Sequence, residues 1–130
     1  MPARSQPRSV RIVNQTREQV VCERAEVAAN MFSRMRGLLG RSGLASGEGM
    51  FFAGESSIHS AFMRFHFDAV FLDAELRVLK LAERIPPWRA HSARGARNVL
   101  ELAAGEIAGR AIHVGDVLRL VDAEEGDPHA

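Results

Sequence analysis

Arg64, His66 and Asp68 recur at every second position in IHSAFMRFHFDAVFLD, residues 58–73. In an extended strand, side chains two apart share a face at a spacing of about 6.6 Å. The trio would then form a row: a cation, a histidine able to donate or accept, and a carboxylate. His66 beside Asp68 is the kind of pair that acid–base chemistry or an anionic ligand uses. The odd positions from Ala61 to Phe71 are all apolar, and the even ones turn apolar again at Val70 and Leu72. Two readings compete. The row is a polar ligand-binding patch set into an apolar face, or it is the wet side of a half-buried strand. Ser60 lies six residues from His66, which is about 20 Å along a strand, so this strand alone cannot make a Ser-His-Asp triad. His59 has the opposite parity to His66, which keeps the two from sharing a metal on one unbroken strand.

A second candidate is the loop Pro86–Arg97, which carries Arg89, Arg94 and Arg97 and no acid. Guanidinium groups clustered this way suit an anion or carboxylate clamp, against the plainer reading of a solvated loop. Trp88, the only tryptophan, is expected to anchor this loop to the body. Glu101, in Val-Leu-Glu-Leu, is either a surface acid or the partner of a loop arginine. The five histidines have no His-Glu-x-x-His or Cys-x-x-Cys companion, so no metal site is expected. Gly37, Gly40 and Gly43 lack the context of a phosphate loop or dinucleotide fingerprint, and no cofactor is expected. Cys22 is the single cysteine. It excludes an internal disulfide and reads as a buried, inert thiol.

These residues must be held by one domain. The chain has 130 residues, 46% hydrophobic and 25% charged, enough for one packed core. Its net charge of +1 and isoelectric point near 8.1 fall short of the value above roughly 9 typical of nucleic-acid binders, so no nucleic-acid partner is expected. MPARSQPRSV lacks the apolar core of a secretory signal, and no apolar run approaches the roughly 20 residues of a membrane span. The expectation is a soluble, cytoplasmic protein with a flexible N-terminus over 1–9, a β-rich domain over 10–122 and a flexible C-terminus over 123–130.

Strand patterns dominate that domain. They fall at Val10–Val13, Val20–Val27, Gly49–Phe52, residues 61–72, Leu76–Ile85, Asn98–Leu102 and Val117–Val121. Asp73–Leu76 reads as a tight antiparallel connection lacking the usual Asn-Gly. Within Leu76–Ile85, alternation puts Leu79 and Leu81 on one face. Met31, Phe32, Met35, Leu38 and Leu39 form one apolar stripe on a helix between Asn30 and Gly40. A shorter helix fits Glu106–Ala111, and Gly115 supplies a positive φ in the turn that follows. Nothing suggests a strand–helix–strand repeat or a parallel sheet. The fold class is mostly β, a compact barrel-like β-sandwich with one or two short helices.

Taken together, Arg36-Gly-Leu-Leu-Gly-Arg41, the 58–73 stretch, Ile85-Pro-Pro-Trp-Arg89, Val99-Leu-Glu-Leu-Ala-Ala-Gly105 and Val114-Gly-Asp116 resemble family 192 of the domains of unknown function. The resemblance spans about residues 10–122. It implies a single mostly-β domain and no established activity. Its recurrent polar positions fall on Arg36, His59, Arg64, Asp68 and Glu101. It also implies a kink near Phe65–Phe67, because relatives often place proline where this chain has His66. The function expected first is a module that binds a small polar or anionic ligand through Arg36, His59, Arg64, Asp68, Arg89 and Glu101. The alternatives are a structural or protein-interaction domain, and a hydrolase or isomerase using Asp68 and a histidine.

Overall fold

Period-two runs of β-branched and aromatic residues become strands wherever turn residues bound them. The computed structural model of the protein describes residues 8–28, 43–60 and 64–122. Among these, β1 (Ser9–Asn14), β2 (Gln19–Ala28), β3 (Glu48–Ala53), β4 (Ser57–His59), β5 (Phe67–Leu72), β6 (Val78–Ile85), β7 (Ala90–Ser92), β8 (Asn98–Ala103) and β9 (Leu118–Asp122) follow in chain order, with α1 (Glu106–Gly109) between β8 and β9. Seven strands make one sheet in the order β6-β5-β8-β3-β2-β1-β9, while β4 and β7 form a separate ribbon. The fold is mostly β. No helix among the described residues is long and apolar enough to cross a membrane.

The sheet curls. Arg77 and Val117, next to its two edge strands, meet in an antiparallel bridge, and Leu118 N–H donates to the Leu76 carbonyl at 2.9 Å. One apolar cluster draws on all seven strands, with Val10, Val21, Phe51, Val70, Val78, Leu100 and Leu118 joined by Ile107 and Ile112. It fills the inside of the curl. A second cluster covers the other side and includes Met50, Phe52, Phe67, Phe71 and Val99, with Ile58 from the ribbon and Phe65. The ribbon therefore packs over the outer face, giving a sandwich-like arrangement. Because β5 is buried on both sides along its whole length, it reads as a nearly continuous apolar run.

Several sequence expectations need correction. Residues 61–72 are not one strand. β4 ends at His59, β5 begins at Phe67, and Phe65 turns into the outer cluster, which agrees with the kink implied at Phe65–Phe67. β2 and β3 pair in parallel, although no parallel pair was expected. Such a pair needs a crossover of a dozen or more residues, and the long connection 29–47 provides one. The expected helix between Asn30 and Gly40 lies in that connection, outside the described residues. Leu79 packs on the outer cluster and Leu81 on the inner one. A register shift between Phe71 and Leu72 inserts an extra residue and reverses the parity.

Other local readings hold. The 73–76 connection closes without Asn-Gly because the Asp73 carboxylate accepts the N–H groups of Glu75 and Arg77, each at 2.9 Å, and Leu76 takes φ 65°. α1 occupies the first part of the expected 106–111 helix, and Gly115 has φ 96°.

Gly49 sits where the backbone of the interior approaches closely. A Cβ there would sit 2.8 Å from the Glu101 carbonyl oxygen and 3.0 Å from the Cys22 sulfur. The first neighbour is ladder backbone and cannot swing aside. Gly49→Ala is expected to lower stability by about 1–3 kcal/mol, as overpacking does. Urea unfolding should show this as a lower midpoint with an unchanged slope.

Candidate functional site

The polar residues singled out by the sequence do not converge on one point. Asp68 lies opposite Leu102 on β8, on the inner side of the sheet. It is fully buried, and its hydrogen bonds go to backbone. One carboxylate oxygen accepts the Arg84 N–H at 2.9 Å. The other accepts Gly105 N–H at 3.1 Å and Ile107 N–H at 2.9 Å. Arg84, at φ 50°, belongs to the irregular part of β6 where the pairing with β5 shifts. The Gly105 and Ile107 amides open α1. Asp68 is thus the anchor of a bulge and a helix start. His66 is exposed and precedes β5, so the Arg64-His66-Asp68 row does not exist.

Glu101 takes the opposite side of β8. Its cross-strand neighbours are Met50 and Ala69, both in the outer cluster. It is 0% exposed, and neither carboxyl oxygen has a hydrogen-bond partner among the described residues. The surface-acid reading is therefore excluded. Burial alone pushes this carboxyl up to about 8, so in the folded domain it is predominantly protonated at neutral pH. Beyond Met50 on the same side, Arg24, Glu26, Leu44, Glu48 and Gly49 line a shallow open cleft.

His59 and Arg89 lie near the same end of the ribbon. His59 pairs with Ala90 across β4 and β7, and Ser60 locks the approach to β7. Its N–H donates to the Arg89 carbonyl at 2.7 Å, and its carbonyl accepts the Trp88 N–H at 3.0 Å. Its hydroxyl donates to the Pro86 carbonyl at 2.6 Å and accepts the Arg89 N–H at 2.8 Å. Ser60 is fully buried. This makes Ser60, and not Trp88, the anchor of the 86–97 segment. Trp88 is 60% exposed, against the expectation that it pins the loop down. A lone serine at a strand end carries no signal that would have revealed this role.

Arg89, Arg94 and Arg97 are exposed, as are His59 and Arg64. Arg64 lies outside the ribbon, between β4 and β5. Arg36 falls outside the described residues. Among the described residues, no group of His, Cys, Asp and Glu is arranged to hold a metal ion.

Two further polar networks serve the fold. Asp116 is buried and accepts from Asn14 at 2.8 Å, Arg17 at 2.9 Å and the His113 N–H at 2.9 Å. Burial works to raise its carboxyl, but these bonds outweigh it and hold the group below the usual range. Arg110 bridges Glu23 at 2.7 Å and Glu106 at 3.1 Å. Cys22 is buried nearby, its thiol donating to the Gly47 carbonyl at 3.3 Å. Burial pushes its thiol up to about 12, so it is an inert core residue.

This arrangement of a curled mixed sheet, an outer ribbon and α1 has relatives. The model of the family described as DUF192, Uncharacterized ACR, matches residues 11–120. The chain belongs to the DUF192 family. A UPF0127 protein of Thermococcus sibiricus is 30% identical over 110 residues, covering 81% of this chain and 71% of the relative. A solved structure of a candidate transcription regulator from Sinorhizobium meliloti superposes with a TM-score of 0.75 at 22% identity, over 92% of this chain and 98% of that one. A protein of unknown function from Novosphingobium aromaticivorans gives 0.71 at 24% identity, over 85% and 83% of the two chains. At these identities the two structures show a shared fold and carry no function across.

Two measurements separate the roles of the buried acids. Asp68→Ala leaves three N–H groups without their acceptor and is expected to cost about 3–5 kcal/mol of unfolding free energy, whereas Arg64→Ala should stay within about 0.5 kcal/mol. For Glu101, the unfolded chain ionises above the ordinary value of 4.5, while the folded chain keeps its proton up to about 8. The folded state therefore holds the extra proton between these limits, and the residue's contribution to stability falls as pH rises through that window. Glu101→Gln abolishes this fall. Its stability relative to the parent should climb from pH 4.5 to about 8 and then level off in denaturant titrations run across that range.

Proposed function

We propose that this DUF192 domain binds a small anionic ligand on the β4–β7 ribbon, with Arg89 and His59 as the contacting groups and Arg94 and Arg97 supplying the surrounding positive potential. The observation that carries the reading is the Ser60 lock. Arginines on a free loop are ordinary, but here the Arg89 backbone is held at both its N–H and its carbonyl by a fully buried serine. A cation whose main chain is fixed loses less freedom when a ligand arrives. The segment from Pro86 to Arg97 contains no acid, and Glu55 enters only at the far end of the ribbon, beyond Ser56. One Arg89 Nη1 N–H reaches the Trp88 carbonyl at 3.2 Å, and the remaining guanidinium donors can form a fork toward a phosphate or carboxylate.

The proposal includes a cytoplasmic setting and a small-molecule partner. A single buried thiol needs no oxidising compartment, and a net charge of +1 provides no long-range field for duplex nucleic acid. The hydrolase reading has no such support, because the hydrogen bonds of Asp68 go to backbone N–H groups and not to a histidine.

Thermal-shift titration with phosphate, sulfate, citrate and neutral sugars tests the proposal. An anion that fits should raise the melting temperature, stabilising by about 2.7 kcal/mol at 100 times its dissociation constant. The effect should fade as salt screens it and weaken in Arg89→Ala. A flat response across the panel would overturn the proposal.

A further inference from the structure

Pro87 followed by a positive-φ residue is the pattern of a type II turn, whose second central position ordinarily takes glycine. Here that position holds Trp88, with φ 64°. A bulky side chain in this region is an outlier, and outliers of this kind gather where a binding surface needs a fixed geometry. The conformation is held by the bond from the Trp88 N–H to the Ser60 carbonyl at 3.0 Å. It does not tuck the ring into the core, since the residue is 60% exposed while most of the other large hydrophobic side chains described are buried or half-buried. The chain thus places its only tryptophan, in a strained backbone, at the surface next to the arginine that Ser60 fixes.

An exposed indole face recognises flat aromatic rings by stacking, and the neighbouring guanidinium recognises phosphate. From this we infer that the ligand of the ribbon joins the two, an aromatic base linked to a phosphate, as in a nucleotide. The base stacks on Trp88 and Arg89 takes the phosphate, with His59 across the ribbon as a second donor. This inference rests on the anion-binding reading of the same surface and specifies what the anion is attached to.

The full chain contains one tryptophan and no tyrosine, so its indole fluorescence reports on this position alone. The probes are adenosine monophosphate, ribose 5-phosphate, inorganic phosphate and a short single-stranded oligonucleotide, with quenching and thermal shift read in parallel. Adenosine monophosphate is expected to quench Trp88 and to bind more tightly than ribose 5-phosphate. Trp88→Leu should weaken it by about 5- to 150-fold, the span expected for one stacked base, and leave inorganic phosphate unaffected. Trp88→Phe should restore much of the loss. Tighter binding of the oligonucleotide, with the same dependence on Trp88, would also support the inference and would assign the base and phosphate to a strand. Equal shifts by adenosine monophosphate and ribose 5-phosphate, insensitive to Trp88→Leu, would overturn the inference while leaving the anion site standing. No shift and no quenching by any probe would overturn both.

Discussion

The Asp68 carboxylate ties together pieces of chain that are distant in sequence. It sits on β5, the strand between β6 and β8, and its two oxygens accept N–H groups from the irregular part of β6 and from the start of α1. Buried N–H groups demand partners. A bulge and a helix start both expose such groups, and one carboxylate satisfies three of them in a fully buried place. Much of the path from β6 to α1 follows from this node. The bulge sets the direction in which β6 leaves toward Pro86. The turn after β8 delivers Ile107 to the interior of the curl, where it joins the inner core.

On the other side of the same sheet, burial creates the opposite situation. Glu101 has apolar neighbours and no hydrogen-bond partner among the described residues. Desolvation disfavours its charged form, so it keeps its proton where an exposed glutamate would not. The two acids lie on adjacent strands, one residue out of register, and their chemistry differs because of what each face offers. The inner face supplies three backbone donors at Asp68, while the outer face supplies methionine and alanine at Glu101.

The ribbon is where the fold departs from its own regularity. It lies off the main sheet, is held to the outer core by Ile58, and owes its shape to Ser60. It carries the strained Trp88 and the fixed Arg89. Strain persists only where surrounding contacts over-determine it, and the serine bonds do so here. The segment the ribbon carries from Pro86 to Arg97 contains no acid, whereas Asp68 is fully bonded to backbone N–H groups. Asp68, which its type alone would mark as an acid–base group, is thus occupied in folding.

Much of the architecture was legible in the sequence. Alternating apolar runs located the seven strands of the main sheet but not β4 or β7 of the ribbon, Glu106 onward read as helical, and the ordered motifs indicated the DUF192 family. These features depend on local preferences and on burial averaged over several residues, which a linear pattern records. The site was not legible in the same way. Shifts in strand register reverse parity, as at Leu79 and Leu81, and a break between His59 and Phe67 dissolved the apparent row of Arg64, His66 and Asp68. Which acid accepts three backbone N–H groups, that a serine and not the tryptophan anchors the ribbon, and that Trp88 faces solvent at positive φ were decided by partners 16 to 39 residues away. The sequence determined which segments become strands of the main sheet, because that follows from neighbours along the chain. Only the tertiary structure decided what each polar group does, because hydrogen-bond partners and burial are set by segments that meet after folding.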